Sequence, residues 1–191
     1  MLKEAVEGAD AEEAQWMAEF VRTRDRVLFE RLFDRYRRRM VTYAYKFVRR
    51  RDRAEELAQD VFIRVYTCKT YRPDAPFRAW LYQVATRVCL NEVRRREYSV
   101  KLEALDREPA DSVGPDGALE GAQLSQRLMQ RLAELPEKQR AAFVMCRFEG
   151  LSHEEISKAL EVSISSTKSL IHRALEALRA EVRSHQEMTC T

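Results

Sequence analysis

Ser165, Ser166, Lys168, Ser169, His172 and Arg173 stand on one face of a predicted helix that opens directly after a short turn. Hydroxyl, amine and guanidinium groups at that spacing are the donors and acceptors that read base edges in a DNA major groove. The residues before them explain the turn. Ser152-His153-Glu154-Glu155 has the form of a capping box, in which the Ser152 hydroxyl accepts from the Glu155 N–H and the Glu155 carboxylate reaches back. A short helix with Ile156 and Leu160 follows, Glu161-Val162-Ser163 makes the turn, and Ser163 caps the next helix, whose inward face is Ile164, Thr167, Leu170, Ile171 and Leu175. Short helix, tight turn, helix is a helix-turn-helix. No comparable grouping serves catalysis: Glu56 and Asp60 lie four apart on one helical face without a third ligand. His153, His172 and His185 show no metal-ligand spacing with Cys68, Cys89, Cys146 and Cys190, which include no C-x-x-C pair. The expectation is a protein that is not an enzyme, with no cofactor, no metal and reduced thiols.

A second grouping suits single-stranded nucleic acid. Tyr71, Trp80 and Tyr82 lie near the proline loop Thr70-Tyr71-Arg72-Pro73-Asp74-Ala75-Pro76 and precede the basic helix end Arg94-Arg95-Arg96, so aromatic faces for bases stand beside cations for phosphates. The same aromatic spacing also serves a helical core, and a bundle of this size needs most of its rings for that. Charge sharpens the contrast. The net charge is only +3, yet residues 21–53 carry +9 and 64–101 carry +6, separated by −3 over 54–63, while 1–20 and 102–124 each carry −5 and 125–191 only +1. A strongly basic body fits a polyanionic partner, whereas a C-terminal half of +1 needs help to hold DNA.

The elements that position these groups are helices. With 191 residues, 45% apolar and 34% charged, and only five Gly and five Pro, the composition is that of an all-α chain. Leu28, Leu32, Tyr36, Met40, Tyr43 and Phe47 define a helix over about 25–49. After a break at Arg49–Arg53, Ala54, Leu57, Ala58, Val61, Phe62 and Val65 define a second. A third begins near Phe77, includes Trp80, Leu81, Val84, Val88 and Asn91, and ends at Arg94–Arg96; beyond Pro136 another, with Phe143, Val144 and Phe148, runs to Glu149-Gly150. Fifteen of seventeen aromatics fall in residues 1–100, and the acidic, Pro- and Gly-containing stretch near 101–122 reads as a flexible linker. The predicted organisation is two small helical domains, 25–100 and 123–184, joined by that linker, with an acidic extension over 1–24 and a tail over 185–191. Met1-Leu2-Lys3-Glu4 lacks an apolar stretch and the apolar runs are short, so a cytoplasmic protein is expected.

In Ala54-Glu55-Glu56-Leu57-Ala58-Gln59-Asp60-Val61-Phe62 and Phe77-Arg78-Ala79-Trp80-Leu81, then in Phe148-Glu149-Gly150-Leu151-Ser152-His153-Glu154-Glu155-Ile156 and Ser166-Thr167-Lys168-Ser169-Leu170-Ile171-His172-Arg173-Ala174, the chain resembles bacterial RNA polymerase sigma factors of the extracytoplasmic-function (ECF) type. The resemblance spans Phe29–Arg96 and Leu135–Arg179, in the family's order with a linker between. It implies a subunit that takes core polymerase to promoters and helps melt them. Glu55, Glu56, Gln59 and Asp60 would dock on the clamp helices of the largest polymerase subunit. Tyr71, Trp80, Arg87, Asn91, Arg94 and Arg95 would hold the melted non-template strand of the downstream element. Ser165, Ser166, Lys168, Ser169, His172 and Arg173 would read the upstream element as duplex while that domain rests on the polymerase flap. An anti-sigma partner is also implied, and no membrane insertion.

Three positions depart from the family pattern. Arg87 stands where Asn is common, Glu161 where the turn has Gly, and Leu170 where the recognition helix has a further basic residue. Glu161 fits without strain only if its φ is not positive. The alternative reading is a free-standing helix-turn-helix regulator that binds duplex DNA without polymerase; it accounts for 135–183 but not for the acidic motif or the aromatic, basic helix end.

Overall fold

The computed structural model describes residues 2–72, 76–102 and 119–189. Among them every regular element is an α-helix: α1 (Leu2–Thr23), α2 (Arg26–Val48), α3 (Arg51–Thr67), α4 (Phe77–Leu102), α5 (Leu119–Glu134), α6 (Glu137–Arg147), α7 (His153–Leu160) and α8 (Ile164–Thr189). Pro73-Asp74-Ala75, the linker over 103–118 and Cys190 lie outside the described residues.

The N-terminal four helices enclose one apolar core. Leu32, Tyr36, Met40, Tyr43 and Phe47 of α2 pack with Leu57, Val61, Phe62 and Val65 of α3 and with Phe77, Leu81, Ala85 and Val88 of α4. Each such side chain is worth about 1.5–3 kcal/mol when fully buried. The chain enters α2 through Asp25, whose carboxylate accepts from the Val27 N–H at 2.9 Å. The expected five-residue break after α2 is only two residues long. Arg49 adopts the left-handed conformation (φ 55°) and returns its N–H to the Tyr45 carbonyl, Arg50 is extended, and α3 starts at Arg51. One left-handed residue completes the reversal that sequence reasoning assigned to the whole arginine run.

The acidic extension joins this core. Met17 and Phe20 of α1 are fully buried, with the Phe20 ring 5.5 Å from Phe29 and 5.6 Å from Tyr66, and the Arg31 and Arg35 guanidinium groups lie over the Trp16 ring. Glu13 is buried too, accepting from Arg35 at 2.7 Å and from the Tyr36 hydroxyl at 2.6 Å. Arg24 (φ 61°) links α1 to α2 and donates to the Tyr66 and Cys68 carbonyls, both at 2.8 Å, satisfying the end of α3.

Two boundaries differ from expectation. α4 continues past Arg96 to Leu102 because no helix breaker occurs there before Pro109, and α5 starts at Leu119, inside the stretch read as linker. In the C-terminal half, α6 buries Ala141, Ala142, Val144 and Met145. Gly150 at φ 66° lets the Leu151 N–H reach the Met145 carbonyl at 3.0 Å, ending that helix where expected. The capping box forms as read: Ser152 Oγ accepts from the Glu155 N–H at 3.2 Å, and Glu155 Oε2 accepts from the Ser152 N–H at 2.7 Å. Thr167, Ile171, Ala174 and Leu178 form the inward face of α8, with Leu170 and Leu175 half-buried; Ile164 is exposed, contrary to expectation, because it opens the helix at the edge of the turn.

Candidate polymerase and nucleic-acid interfaces

α3 divides cleanly into two faces. Ala54, Leu57, Ala58, Val61, Phe62 and Val65 turn into the core, leaving Glu55, Glu56, Gln59 and Asp60 together on the solvent side. Glu55 accepts from Arg51 at 3.1 Å and Glu56 from Arg53, so the helix's own first-turn arginines orient two of the four groups. Ile63 and Tyr66, both exposed, extend the same side with apolar surface that sequence reasoning did not single out.

Along α4, Arg87, Asn91, Arg94 and Arg95 are exposed and Trp80 is half-buried; their spacing places them on one strip. Tyr71 is half-buried, its ring 5.2 Å from Trp80 and 6.2 Å from Phe77 in edge-to-face contacts, so the loop and the helix start form one aromatic corner. Tyr82 does not join it. It is fully buried with its ring 5.1 Å from Tyr43, and its hydroxyl donates to the Glu149 carboxylate, which corrects the expectation of a base-facing role. The error came from proximity in sequence: two residues beyond Trp80, a helical side chain faces nearly the opposite way. Burial pushes the Tyr82 hydroxyl well up from its ordinary value and raises the Glu149 carboxyl, so the proton stays between them. Cys89, in the same core, has its thiol pushed up to about 12 by burial and is inert as a nucleophile. Cys146 is half-buried rather than fully core.

All six residues of the proposed reading face, Ser165, Ser166, Lys168, Ser169, His172 and Arg173, are exposed on α8. Their helix start is fixed by Ser163, whose hydroxyl accepts from the Ser166 N–H at 3.1 Å, and by Thr167, whose hydroxyl donates to the Ser163 carbonyl at 3.1 Å. His172 Nδ1 lies 3.4 Å from Glu176 on the next turn. Glu161 sits at φ 54°, against the condition for an unstrained turn, and its N–H bonds back to the Lys158 carbonyl. A non-glycine residue there costs on the order of 1 kcal/mol.

The halves meet through groups that sequence reasoning missed. Arg78 of α4 donates to both oxygens of Glu155, at 2.8–3.0 Å, with both side chains nearly buried. Buried Arg140 of α6 has its guanidinium over the Phe47 ring, and Lys46 of α2 lies over the Phe148 ring. No local sequence signal marks partners 77 residues apart; only the charge of Arg78 within an otherwise apolar helix start hinted at one.

Residues 32–98 match the family model described as sigma-70 region 2, and residues 125–178 match that described as sigma-70 region 4. The chain belongs to the sigma-70 family. The ECF RNA polymerase sigma factor SigE of Mycolicibacterium smegmatis is 36% identical over 156 residues, which span 79% of this chain and 60% of that relative. The ECF RNA polymerase sigma factor SigW of Bacillus subtilis is 29% identical over 174 residues, covering 85% of this chain and 93% of the relative. Among solved structures, the sigma factor RpoE of Bartonella quintana, determined in complex with the anti-sigma factor NepR, superposes with a TM-score of 0.68 at 20% identity over 81% of this chain and 96% of its own. CnrH, determined in complex with the cytosolic domain of CnrY, gives 0.66 at 22% identity over 90% and 97%. This sigma factor is of the ECF group, the class of protein that directs RNA polymerase to promoters. Its α2, α3 and most of α4 make up region 2, and α6, α7 and the first half of α8 fall within region 4. No helix among the described residues is long and apolar enough to cross a membrane.

Proposed function

We propose that this sigma factor binds core RNA polymerase through the α3 strip Glu55, Glu56, Gln59 and Asp60. The melted downstream element lies along Tyr71, Trp80, Arg87, Asn91, Arg94 and Arg95, and the upstream duplex meets Ser165, Ser166, Lys168, Ser169, His172 and Arg173. The observation that supports this division of labour is the separation of three chemically distinct exposed strips onto three helices: acidic on α3, basic and aromatic on α4, hydroxyl-rich on α8. An acidic strip repels DNA and suits basic protein; stacked rings beside arginines suit unpaired bases; short polar side chains at a helix start suit base edges.

Residues 25–100 act as the core-binding and downstream-element domain and 123–184 as the upstream-element domain, joined over 101–122. The small charge of the second domain is then sufficient, because polymerase tethers it and raises its effective concentration at the promoter. The sigma factor supplies binding energy and no catalytic step, works in the cytoplasm and on the nucleoid with polymerase, and is held by an anti-sigma partner when idle.

The test is transcription of fragmented genomic DNA by core polymerase with and without the protein, mapping RNA 5′ ends. The expected result is a set of new starts that share two spaced sequence elements. Absence of new starts, with tight sequence-specific duplex binding by the protein alone, would instead establish a free-standing regulator.

A further inference from the structure

The C-terminal half lays a line of carboxylates along one side of α4. Glu161, in the turn before α8, accepts from Arg87 at 2.8 Å and from Gln83 at 3.0 Å. Glu137, in the first turn of α6, accepts from Arg94 Nε at 2.8 Å and from its Nη2 at 2.5 Å. Between them Glu149 takes the Tyr82 hydroxyl and Glu155 takes Arg78. A carboxylate held by a guanidinium occupies the place and geometry of a phosphate oxygen. Arg87 and Arg94 belong to the strip that faces the melted strand, so the same two cations have two anionic claimants.

We propose that, away from polymerase, Glu137 and Glu161 are built-in competitors for the phosphates of the melted promoter strand, in a closed arrangement pinned by Arg78–Glu155. The inference rests on the reading of α4 as the single-strand face. Both outer pairs are exposed at the arginine, 59% for Arg87 and 63% for Arg94, whereas Arg78 and Glu155 are 13% and 10% exposed. Exposed pairs yield readily to a polyanion that offers several charges at once, while the near-buried pair resists until the halves part. Glu161 supports this assignment on its own. It holds a left-handed conformation that glycine would adopt without strain, but glycine would remove the acceptor that reaches Arg87. The reading face of α8 stays exposed throughout, so the competition selects against single strands and leaves duplex reading alone.

The test uses the full chain without polymerase and two fluorescent probes, a mixed-sequence single-stranded DNA and a duplex of the same sequence. Glu137→Gln with Glu161→Gln removes both competing charges; single-strand affinity should rise about tenfold and duplex affinity stay within about twofold. A second set reads closure itself by X-ray scattering. Glu137→Lys with Glu161→Lys sets like charges across the interface, and the radius of gyration should grow from about 16 Å, expected for a compact chain of this length, to about 20 Å or more. Adding Arg87→Glu and Arg94→Glu should restore the compact value. If the Lys variant stays compact, or the swap does not reclose it, the ion pairs do not hold the halves and the proposal is overturned. If the Gln variant binds single strands like the wild type while Arg87→Gln with Arg94→Gln abolishes that binding, the α4 reading stands and the competition fails. Indifference of single-strand affinity to both pairs of changes overturns the α4 reading along with the competition.

Discussion

Arg53, in the first turn of α3, forks the Glu92 carboxylate of α4, with Nε 2.9 Å and Nη2 2.7 Å from its two oxygens. The same guanidinium reaches Glu56, so one arginine joins two helices of the core and steadies a member of the acidic strip. Its hydrogen bonds hold the Glu92 carboxyl below its ordinary 4.5, although burial opposes them. Glu92→Gln should destabilise the protein by about 2–3 kcal/mol at neutral pH, roughly 5–10 °C in melting temperature. Because the folded pKa lies below the unfolded one, the contribution is complete above about 4.5 and is lost as pH falls toward the depressed value. Calorimetric melting of both proteins from pH 7 to pH 3.5 should show the gap constant at first and closing below about 4.5. A gap independent of pH would rule out the charged pair as its origin.

The acidic strip itself should matter to polymerase and hardly to folding. Glu56→Ala with Asp60→Ala removes two exposed carboxylates and leaves Arg53 paired with Glu92, so stability should change by less than about 0.5 kcal/mol. Affinity for core polymerase, measured by fluorescence titration, should fall about tenfold or more, with DNA binding by the free chain unchanged. Near-native core affinity would remove α3 from the docking surface.

Legibility from sequence followed the range of the interaction. The helices, the Ser152–Glu155 capping box and the Gly150 stop depend on neighbours within about four residues, and each formed where spacing put it. Left-handed Arg24, Arg49 and Glu161 were invisible because nothing but glycine or asparagine advertises that conformation. Glu155 shows the boundary within one side chain: its cap to Ser152 is local and was read, while its grip on Arg78 belongs to tertiary packing and was not. The burial of Tyr82 was missed for the same reason, since its partner Glu149 is 67 residues away. The three exposed strips were legible as residue types on helical faces; the meeting of Arg87 with Glu161 needed the fold.

Glu161→Gly is expected to stabilise the helix-turn-helix locally. It relieves on the order of 1 kcal/mol of left-handed strain and forfeits an exposed ion pair worth less. Amide exchange in α7 and the first turn of α8 should slow by a few-fold in the full chain, while exchange along the flank of α4 near Gln83 and Arg87 should quicken. Slower exchange on both sides of the interface would mean that the carboxylate does not tie them.

Lys168 and Arg173 are the two full cations on the reading face of α8, in a half whose net charge is only +1. Replacing both with Ala should leave folding intact, since both are exposed and outside the Thr167, Ile171, Ala174 and Leu178 face. The two differ in what they can recognise. A guanidinium can fork a guanine edge, so Arg173→Ala should relax sequence preference and cost about 1–3 kcal/mol at one position. An ammonium on a phosphate has no such preference, so Lys168→Ala should weaken all upstream sequences equally and lower the slope of log affinity against log salt by about one. Titrating holoenzyme onto promoter duplexes at several salt concentrations separates the cases. Normal affinity and an unchanged salt slope in the double variant would show that this face of α8 does not meet DNA.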